Sequence, residues 1–538
     1  MPSKVQFGNK TVLEPGAYTR VIGGVTEAPV AASLGTVLII DTGLGAGWGG
    51  GSGINGALNQ GLGSVYEFDS LRDFQRWMRG GILWDVAQYI FKPALSRRGA
   101  QKVLFVSAKT STQASLSKTL TNGILTVKTV AEGIGANGTI TSSHLDTGFA
   151  AKMVAGVADT AKFVWQGYVG TYRGADANSV PLNDLTAANS APELVIQSPE
   201  VSTLLELRDW MLEDAIFQQW FQFGSLASVT SGGTIVTGDL TTYALSAFSG
   251  ATETYGTGDL DDTLEAIGEV DYTFILCDKY GITDGAGSVN TKIFTHITTE
   301  AVYEKFMIVG GGKDATQFDQ STNSSFAISK YYNSSKVYVP HGDIKKLRSS
   351  GGYRTYPTIY FAAQLAGLLA GLDPQTPATW KNISVDSVVH ELTLREREKA
   401  LIAGVVHLKK VFGQWVINQE INTMQKNNQM IYPDGTSPEG SIMRISSLLN
   451  KELKQNAERQ FVGLNVAQAS PADIKTFTES YLLSRTVKTN SDNLILNFVN
   501  VNVTYNNGDY NISYGFTPNG PVNRLFFTGI MLNINLSA

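Results

Sequence analysis

A glycine-rich segment, residues 41–63, has the residue spacing most suggestive of ligand binding in this sequence. The pattern Gly-x-Gly-x-x-Gly occurs twice, at Gly45, Gly47 and Gly50 and again at Gly51, Gly53 and Gly56. An apolar run over residues 37–40 precedes the segment and predicts a buried strand. Many dinucleotide sites begin in this way, because main-chain N–H groups at the start of the following helix bind the pyrophosphate. The segment is therefore the candidate for a phosphate-binding loop.

The residues that follow do not complete a nucleotide site. The dinucleotide pattern requires a helix at its last glycine, but Gly53, Gly56 and Gly61 interrupt this region, and each destabilises a helix by about 1 kcal/mol relative to alanine. The first helix that the sequence predicts begins at Ser70, and no Gly-Lys-Ser or Gly-Lys-Thr follows the glycines as a P-loop requires. We expect a flexible surface loop and no bound cofactor. A nucleotide-binding enzyme that uses the loop from Gly45 to Gly56 is one alternative.

Other groups that could perform catalysis or bind a metal are scattered. The five histidines are His144, His296, His341, His390 and His407. None stands three or four residues from another, so the spacing of a metal site is missing. The single cysteine, Cys277, lies in a strand-like run, has no histidine nearby in sequence and cannot form an internal disulfide. We therefore predict no catalytic, cofactor-binding or metal-binding residues, and we expect a structural protein rather than an enzyme.

Length and charge indicate a chain of several domains that does not bind nucleic acid directly. Its 538 residues exceed what one hydrophobic core usually serves, and its net charge of -5 gives no general attraction for nucleic acid or anionic membranes. The basic pairs Lys345–Lys346 and Lys409–Lys410 lack interleaved aromatic residues and are expected on solvated faces. The longest apolar stretch, residues 360–372, is shorter than the about 20 residues that cross a bilayer, so we expect no membrane insertion.

An α/β pattern occupies two separated parts of the sequence. Its predicted elements are a strand over 37–40, a helix capped by Ser70, a helix over 82–90, a strand over 103–106, a helix over 261–267, a strand over 272–277, a helix over 301–306, and strands over 307–309 and 337–339. The tract between the two parts, residues 108–257, is richer in Thr, Ser, Gly and Ala and contains short strand-like runs. One long helix interrupts it, expected to begin at Ser198–Pro199 and to continue to Phe221. We predict an inserted β-rich domain.

Three helices are predicted in the part that follows. The first is the apolar stretch over 360–372, in which Gly367 and Gly371 would let another element approach closely. The others cover residues 441–457 and 471–485, and a serine followed by proline marks the start of the last one. All three have apolar residues at the spacing of a helix that packs on a core.

A fourth helix is predicted from the capping box at Thr393 and Glu396. Apolar residues follow at helical spacing at Leu394, Leu401, Ile402, Val405 and Leu408. His407 is therefore expected on this helix.

The C-terminal part contains strands that need a partner. Alternating apolar residues stand at Val499, Val501, Val503 and Tyr505, and again at Tyr510, Ile512, Tyr514 and Phe516. Asn507–Gly508 lies between the two runs, and Asn-Gly is the preferred two-residue hairpin turn. A further run alternates at Ile530, Leu532, Ile534 and Leu536. A strand this regular outside the hairpin is expected to pair with another sheet.

The order of these elements resembles that of contractile tail sheath proteins of tailed bacteriophages. The family is shared with R-type bacteriocins and extracellular contractile injection systems. The resemblance is carried by ordered motifs at residues 14–21, 37–40 with the glycine-rich loop, 65–74, 83–91, 103–106, 360–373, 401–404, 415–423 and 459–465. It covers residues 14–107 and 270–536, whereas the tract between them departs from typical members. The glycine run also replaces the family's usual Gly-Pro after the first strand.

The resemblance implies a multidomain fold of the α/β and α+β classes. It predicts a sheath-type C-terminal α/β domain with extended terminal β-arms, an α/β middle domain and an inserted β-rich domain. The expected boundaries are 1–22 for the N-terminal arm, 23–107 with 259–350 for the α/β sheath domain, 108–258 for the inserted, surface-exposed domain, 351–520 for the C-terminal sheath domain at the inner wall facing the tube, and 521–538 for the C-terminal arm.

The resemblance also implies a function. The chain would polymerise around an inner tail tube in a metastable extended state and contract to drive the tube through the host cell envelope, without nucleotide hydrolysis. Its expected partners are copies of itself, in hexameric rings or a helical polymer, the inner tail tube protein, and baseplate and tail terminator proteins. It would be assembled in the bacterial cytoplasm and end in the virion tail. A static virion structural protein, such as a capsid or baseplate component, is the second alternative.

The terminal arms and one helix are the interaction sites that the resemblance implies. Each arm would add a strand to the sheet of a neighbouring copy. The predicted arm residues are Val5, Phe7, Val12, Ile530, Leu532, Ile534 and Leu536. The helix from Pro471 to Arg485, with Lys475, Arg485 and Lys488, is the candidate for an electrostatic contact with the tube. An ordinary core helix with a solvated face is the alternative reading of that helix.

Overall fold

The structure is a computed structural model of the full chain. It describes residues 5–7, 10–12, 35–42, 64–78, 82–94, 96–108, 110–132, 136–141, 144–169, 194–254, 257–280, 289–300, 304–310, 324–347, 353–424, 437–464, 469–486, 493–506 and 509–520. No helix within these ranges is long and apolar enough to cross a membrane.

Helices and strands are numbered in chain order. The helices are α1 (Leu71–Met78), α2 (Ile82–Phe91), α3 (Leu204–Glu213), α4 (Phe217–Trp220), α5 (Thr237–Thr242), α6 (Thr257–Ala266), α7 (Val289–Thr295), α8 (Ser325–Tyr332), α9 (Thr358–Gly371), α10 (Leu394–Ala403), α11 (Gly440–Phe461) and α12 (Pro471–Ser484). The strands are β1 (Val5–Phe7), β2 (Lys10–Val12), β3 (Thr36–Asp41), β4 (Val65–Phe68), β5 (Lys102–Ser107), β6 (Thr110–Ser111), β7 (Gln113–Leu120), β8 (Gly123–Glu132), β9 (Thr139–Thr141), β10 (His144–Thr147), β11 (Phe149–Ala155), β12 (Phe163–Val169), β13 (Leu194–Gln197), β14 (Phe221–Ala227), β15 (Ser246–Ala247), β16 (Glu253–Thr254), β17 (Phe274–Tyr280), β18 (Phe306–Gly310), β19 (Val337–Pro340), β20 (Ile344–Leu347), β21 (Tyr353–Tyr356), β22 (Ser387–Val388), β23 (Val405–Val406), β24 (Leu408–Val411), β25 (Gln414–Ile417), β26 (Ile495–Asn506) and β27 (Asp509–Pro518).

The centre of the molecule is a seven-stranded sheet in the order β23-β19-β18-β17-β3-β5-β4. All neighbouring strands are parallel except β4, which runs antiparallel to β5. The strands read as continuous apolar runs because helices cover both faces of a parallel sheet. Val37 and Ile39 face a core with α1, α2 and α9, whereas Leu38 and Ile40 face a second core with α6, α7 and α8. This alternation fixes which elements share a side of the sheet.

The tract predicted as an insertion forms a separate core. A three-stranded sheet, β14-β8-β7, and a four-stranded sheet, β13-β12-β11-β15, enclose buried side chains that all lie between Ala114 and Ala251. Trp165 is at its centre, with ring centroids 5.5 Å from Phe217 and 5.3 Å from Phe221. The Trp165 indole N–H donates to the Tyr243 hydroxyl at 2.9 Å, so its one polar group is satisfied inside the apolar core.

The expected mixed α/β fold with several sheets is confirmed. The domain boundaries remain a prediction. One feature differs from the simplest division: α9 packs on the central sheet and β23 joins that sheet, so this core continues beyond residue 350, where we expected a boundary. The reason is that the apolar α9 is buried along nearly its whole length and needs a large apolar surface to cover it.

The predicted long helix from Ser198 is wrong. The Ser198 hydroxyl accepts the Trp165 main-chain N–H at 2.9 Å, and β13 pairs with β12 immediately before it, so strand pairing occupies these residues. The helix α3 begins after Thr203, which forms a capping box with Glu206. Phe221 begins a strand that pairs with β8 instead of continuing a helix.

Two other predicted helices are also corrected. Of the helix expected over 301–306, residues 301–303 lie outside the described residues, and Phe306 instead pairs with Phe274 in the central sheet. Helical structure is described earlier, as α7 followed by a π-helical turn over 296–300. The helix α10 ends at Gly404, which has a left-handed φ of 74° as is common after a helix. His407 therefore lies between the strands β23 and β24, not on a helix.

Glycine permits the closest contact between helices on the central sheet. A Cβ atom at Gly367 of α9 would lie 2.3 Å from the carbonyl oxygen of Ile90 in α2, and one at Gly371 would lie 2.2 Å from that of Arg98. Both distances are below van der Waals contact with main-chain atoms that cannot rotate away. The predicted close approach at these two glycines is thus confirmed.

A buried ion pair fastens α11 to this body. Arg444 of α11 donates to both carboxylate oxygens of Glu420, Nε to Oε1 at 3.0 Å and Nη2 to Oε2 at 2.9 Å, and these side chains are 4% and 0% exposed. Arg444 also donates to the carbonyl of Thr376 at 2.9 Å, beyond the end of α9. Glu420 accepts the main-chain N–H of Ala378 at 2.7 Å. These contacts join the loop after α9, the segment after β25 and α11 at one point.

The first prediction concerns Gly367. Gly367→Ala should lower the free energy of unfolding by about 1–3 kcal/mol, because the clash with Ile90 outweighs the better helix propensity of alanine. Gly238→Ala is the matched control: Gly238 also lies in a helix, but a Cβ atom there meets nothing within 4 Å. Urea denaturation of the purified variants would measure both. Equal stability of the two variants would contradict the close contact.

The second prediction concerns the buried ion pair. Arg444→Met should destabilise the protein by about 3–5 kcal/mol, because it leaves the Glu420 carboxylate buried without its cation. The double variant Arg444→Met, Glu420→Gln should be less destabilised than the single variant, since the buried charge is then removed. Arg208→Met, which breaks an exposed pair with Asp209, should cost less than about 1 kcal/mol. A double variant no more stable than Arg444→Met would disprove the explanation.

Candidate assembly site

A long antiparallel hairpin, β26–β27, lies in the C-terminal part and has many exposed residues. Its strands contain 12 and 10 residues, and the pairing of Asn506 with Asp509 leaves two residues for the turn. The predicted pair of strands and the length of the turn are therefore confirmed. A bulge between Val499 and Asn502, with Asn500 at a left-handed φ of 55°, bends β26 near its middle.

Two helices support one face of the hairpin. Ile495 and Val501 pack with Leu448 and Leu482 of α11 and α12 in a small separate core. The Tyr514 hydroxyl donates to the Asn450 side-chain oxygen of α11 at 2.7 Å, and the Tyr510 hydroxyl donates to the main chain just before α12. Burial and loss of water raise the pKa of Tyr514, so its hydroxyl stays protonated as a donor. These contacts hold the hairpin firmly against α11 and α12.

The same helix α11 also contacts the central body and so connects the hairpin to it. Lys451 forms an ion pair with Asp271, and the Ser447 hydroxyl donates to the carbonyl of Glu304 at 3.3 Å. Together with the Arg444–Glu420 pair, these contacts lie on successive turns of α11. Sequence reasoning missed this anchor. The only available sign was an arginine within an otherwise apolar stretch at the start of a predicted helix.

The outer edges of the hairpin are the part of this site that can form hydrogen bonds with another chain. Among the described strands, β26 and β27 pair only with each other. Each strand therefore presents an outer row of main-chain N–H and C=O groups without a strand partner in the described part of the chain. Such edges bind an added strand through main-chain hydrogen bonds. The arrangement can accept extended peptide segments.

The predicted arm residues are only partly visible. Val5, Phe7 and Val12 lie in β1 and β2, which pair antiparallel with each other in the register Val5 to Val12. The single extended strand expected there is thus divided into two short strands of a hairpin. The residues predicted for the C-terminal arm, Ile530, Leu532, Ile534 and Leu536, lie outside the described residues. Pairing of either arm with another copy stays a prediction.

The three candidate tube-contact residues differ in their surroundings. The Lys475 ammonium lies 3.8 Å from Glu479 on α12, and half of its side chain is exposed. Arg485 instead donates to Glu452 of α11 at 2.5 Å, and Tyr481 donates to the same carboxylate at 2.7 Å. Lys488 lies outside the described residues. The charge of Arg485 therefore serves the contact between α11 and α12, whereas Lys475 faces solvent.

The groups considered for other chemistry are dispersed or buried. Among the described residues, no three His, Cys, Asp or Glu side chains are grouped as a metal site would require. Burial lowers the pKa of His341 to about 3 and that of His407 to about 4, so both are neutral near pH 7. Cys277 is buried in β17. The glycine-rich loop, including Gly45 to Gly56, lies outside the described residues.

Sequence comparison identifies named relatives. No family model matches the chain. The chain is 23% identical over 295 residues to the tail sheath protein of Bacillus phage SP01, covering 54% of this chain and 48% of the relative. It is 25% identical over 202 residues to the tail sheath protein of Staphylococcus phage Twort, covering 36% and 32%. The matches span about half the length of the first relative and a third of the second.

Structural comparison agrees on the fold. The sheath tail protein of Desulfitobacterium hafniense superposes with a TM-score of 0.52, covering 94% of this chain and 100% of that chain, at 13% sequence identity. The resemblance to contractile tail sheath proteins that the sequence motifs indicated is confirmed. This chain is therefore a relative of phage tail sheath proteins and has the fold of a sheath tail protein.

Proposed function

We propose that the chain is a structural subunit of a contractile tail sheath. Subunits polymerise around an inner tail tube in a metastable extended state and then contract to drive the tube through the host cell envelope. The work comes from interfaces that have two discrete arrangements, so no nucleotide is hydrolysed and the chain is not an enzyme. The observation that carries the proposal is the sequence similarity to two proteins named as tail sheath proteins.

The C-terminal hairpin supplies a mechanism for assembly. Its two outer edges have no strand partner within the described part of the chain, and α11 and α12 hold it against the body. We infer that the terminal arms of neighbouring copies add strands to these edges. Residues 1–22 and 521–538 are the proposed arms, with Val5, Phe7 and Val12 in the first. Main-chain pairing would hold the copies together while their bodies rotate during contraction.

The other proposed partners follow from the same role. Copies of the chain would form hexameric rings or a helical polymer, joined to baseplate and tail terminator proteins at the ends. The C-terminal domain would face the inner tail tube protein, with Lys475 the more accessible of the two candidate contacts that the structure describes. Residues 108–258 would lie on the outside. The polymer would be assembled in the bacterial cytoplasm and form part of the virion tail.

The third prediction tests the C-terminal arm. Ile534→Pro should abolish polymerisation into tubes or rings, because proline removes a main-chain N–H that strand addition requires. Ile534→Val is the matched control and should polymerise normally, because valine keeps the β-branched shape. Negative-stain microscopy and sedimentation would measure polymerisation, and thermal unfolding should give the same Tm for both unassembled variants.

Three outcomes separate the sheath from the alternatives. Normal tubes from Ile534→Pro would contradict arm exchange. Tubes that form but never convert to a shorter, wider state would favour a static structural protein. A length change that requires added ATP, and is lost when Gly45, Gly47 and Gly50 are replaced, would favour a nucleotide-binding protein instead.

A further inference from the structure

Phe412 occupies a position that does not benefit the fold of a single copy. It lies at the tip of the β24–β25 hairpin, has a left-handed φ of 48° and is 99% exposed. Gly413 follows with a φ of 81°, so both turn residues have positive φ. Asparagine followed by glycine is the preferred sequence for such a turn, whereas a bulky residue with positive φ is an outlier. The strain and exposure of Phe412 make its ring a candidate for a contact outside its own chain.

A second strained aromatic residue lies beside this hairpin. Trp380 has a φ of 62° and is 55% exposed, and the Lys409 ammonium lies 4.1 Å from the centre of its ring. The exposed Lys410 lies 5.9 Å from the ring of Trp415. Burial lowers the pKa of Lys409, and the nearby Arg397 lowers it further. Lys409 and Lys410 are successive residues of β24, so they lie on opposite faces of the hairpin.

A neighbouring hairpin, β20–β21, extends the exposed surface. Leu347 and Tyr353 pair at the end next to the segment that connects the two strands, and they are 61% and 56% exposed. Asp386 joins the two hairpins: its carboxylate accepts the Leu347 main-chain N–H at 2.8 Å, and its carbonyl accepts the Trp415 indole N–H at 3.1 Å. We call Leu347, Tyr353, Lys410 and Phe412 the apolar–lysine patch, because Lys410 lies on the same face of its hairpin as Trp415, which Asp386 links to Leu347. Exposed large apolar side chains grouped with cations mark an interaction surface.

The same chain carries a surface of opposite charge. Residues 257–271 contain six acidic residues and no lysine or arginine. We call its five exposed members, Asp261, Asp262, Glu265, Glu269 and Asp271, the acidic ridge. Lys292 pairs with Asp261 and Lys451 with Asp271, but no lysine or arginine among the described residues pairs with Asp262, Glu265 or Glu269. The ridge therefore keeps negative charge available to a partner.

The patch and the ridge lie on opposite sides of the central sheet. Ile344 and Leu408, at the bases of the two hairpins, belong with Trp415 to the core on the side of α9. Leu260 and Leu264 of α6, beneath the ridge, belong to the core on the other side. The two surfaces cannot meet within one copy. They can meet between copies, and a contact between two different surfaces generates an open polymer instead of a closed dimer.

We propose that the apolar–lysine patch of one copy binds the acidic ridge of the next copy. We choose a second copy as the partner because the chain itself carries the complementary negative charge. That charge lies on the opposite side of the central sheet from the patch, as a head-to-tail contact requires. Phe412 would bury apolar area at the centre, and Lys410 would face Asp262 and Glu265. The contact rests on the proposed polymerising function and adds a side-chain interface to the main-chain pairing of the arms.

The fourth prediction uses the strain at Phe412. Phe412→Asn should fold at least as well as the wild type, because asparagine suits the turn, yet raise the critical concentration for polymerisation about tenfold. Val157→Asn is the matched control, since Val157 is 97% exposed in the inserted tract and lies outside the patch. Sedimentation of polymer from subunits measures the critical concentration, and thermal unfolding measures the Tm. A critical concentration unchanged by Phe412→Asn would overturn the central role of the ring.

A charge exchange tests the identity of the partner. Lys410→Glu and Glu265→Lys should each raise the critical concentration, and the chain that carries both should return toward the wild type because the attraction is restored with exchanged signs. Lys128→Glu, at an exposed site in the inserted tract, is the control for charge alone. No recovery in the double variant would assign the patch to some other partner and overturn the proposal.

The failure of this contact differs from the failure of the proposed function. Wild-type chains that never polymerise would overturn the sheath function and, with it, the contact. Wild-type tubes together with unchanged critical concentrations for Phe412→Asn, Lys410→Glu and Glu265→Lys would overturn the contact alone. In both cases the Tm of each unassembled variant shows that the subunits are folded.

Discussion

The organisation of the molecule depends on one buried ion pair, Arg444 with Glu420. Two charges removed from water are tolerated only where geometry and hydrogen bonds satisfy them, and here the fork of the guanidinium meets both carboxylate oxygens. The pair adds orientation as much as stability, because a planar, bidentate contact permits a single placement of α11. That helix is the connection between the central sheet and the C-terminal hairpin, so the direction of the hairpin is set at this point.

A rigid connection of this kind suits a protein whose work lies between copies. The body is a largely parallel sheet with helices on both faces. Its helices α2 and α9 are in such close contact at Gly367 that they cannot slide past each other. Rotation of such a subunit changes its external contacts while its internal ones persist. In the proposed polymer, the arms, the hairpin edges and the two charged surfaces would provide contacts of different strength and reach, as two stable arrangements require.

Local signals predicted much of the fold, and failures occurred where distant partners decide the local structure. Buried strands and the capping boxes at Ser70, Thr393 and Ser470 formed as predicted because their residues act within one turn. Ser198–Pro199 had an equally good helix signal, but pairing with β12 prevailed. Lys409 has no aromatic residue directly beside it in sequence, whereas in space Trp380 lies against it. Contacts between residues far apart in sequence cannot be read from spacing.

The edges of the central sheet have a consequence for fidelity. One edge strand, β23, has only two residues, and the other, β4, has four and runs against the direction of the rest. Short or antiparallel edge strands offer few main-chain groups to an incoming strand, and proteins commonly use such edges to avoid misplaced pairing. The much longer edges of the β26–β27 hairpin are then the favoured place for another chain to add a strand. Newly made chains at high concentration are therefore less able to pair wrongly with one another through their central sheets.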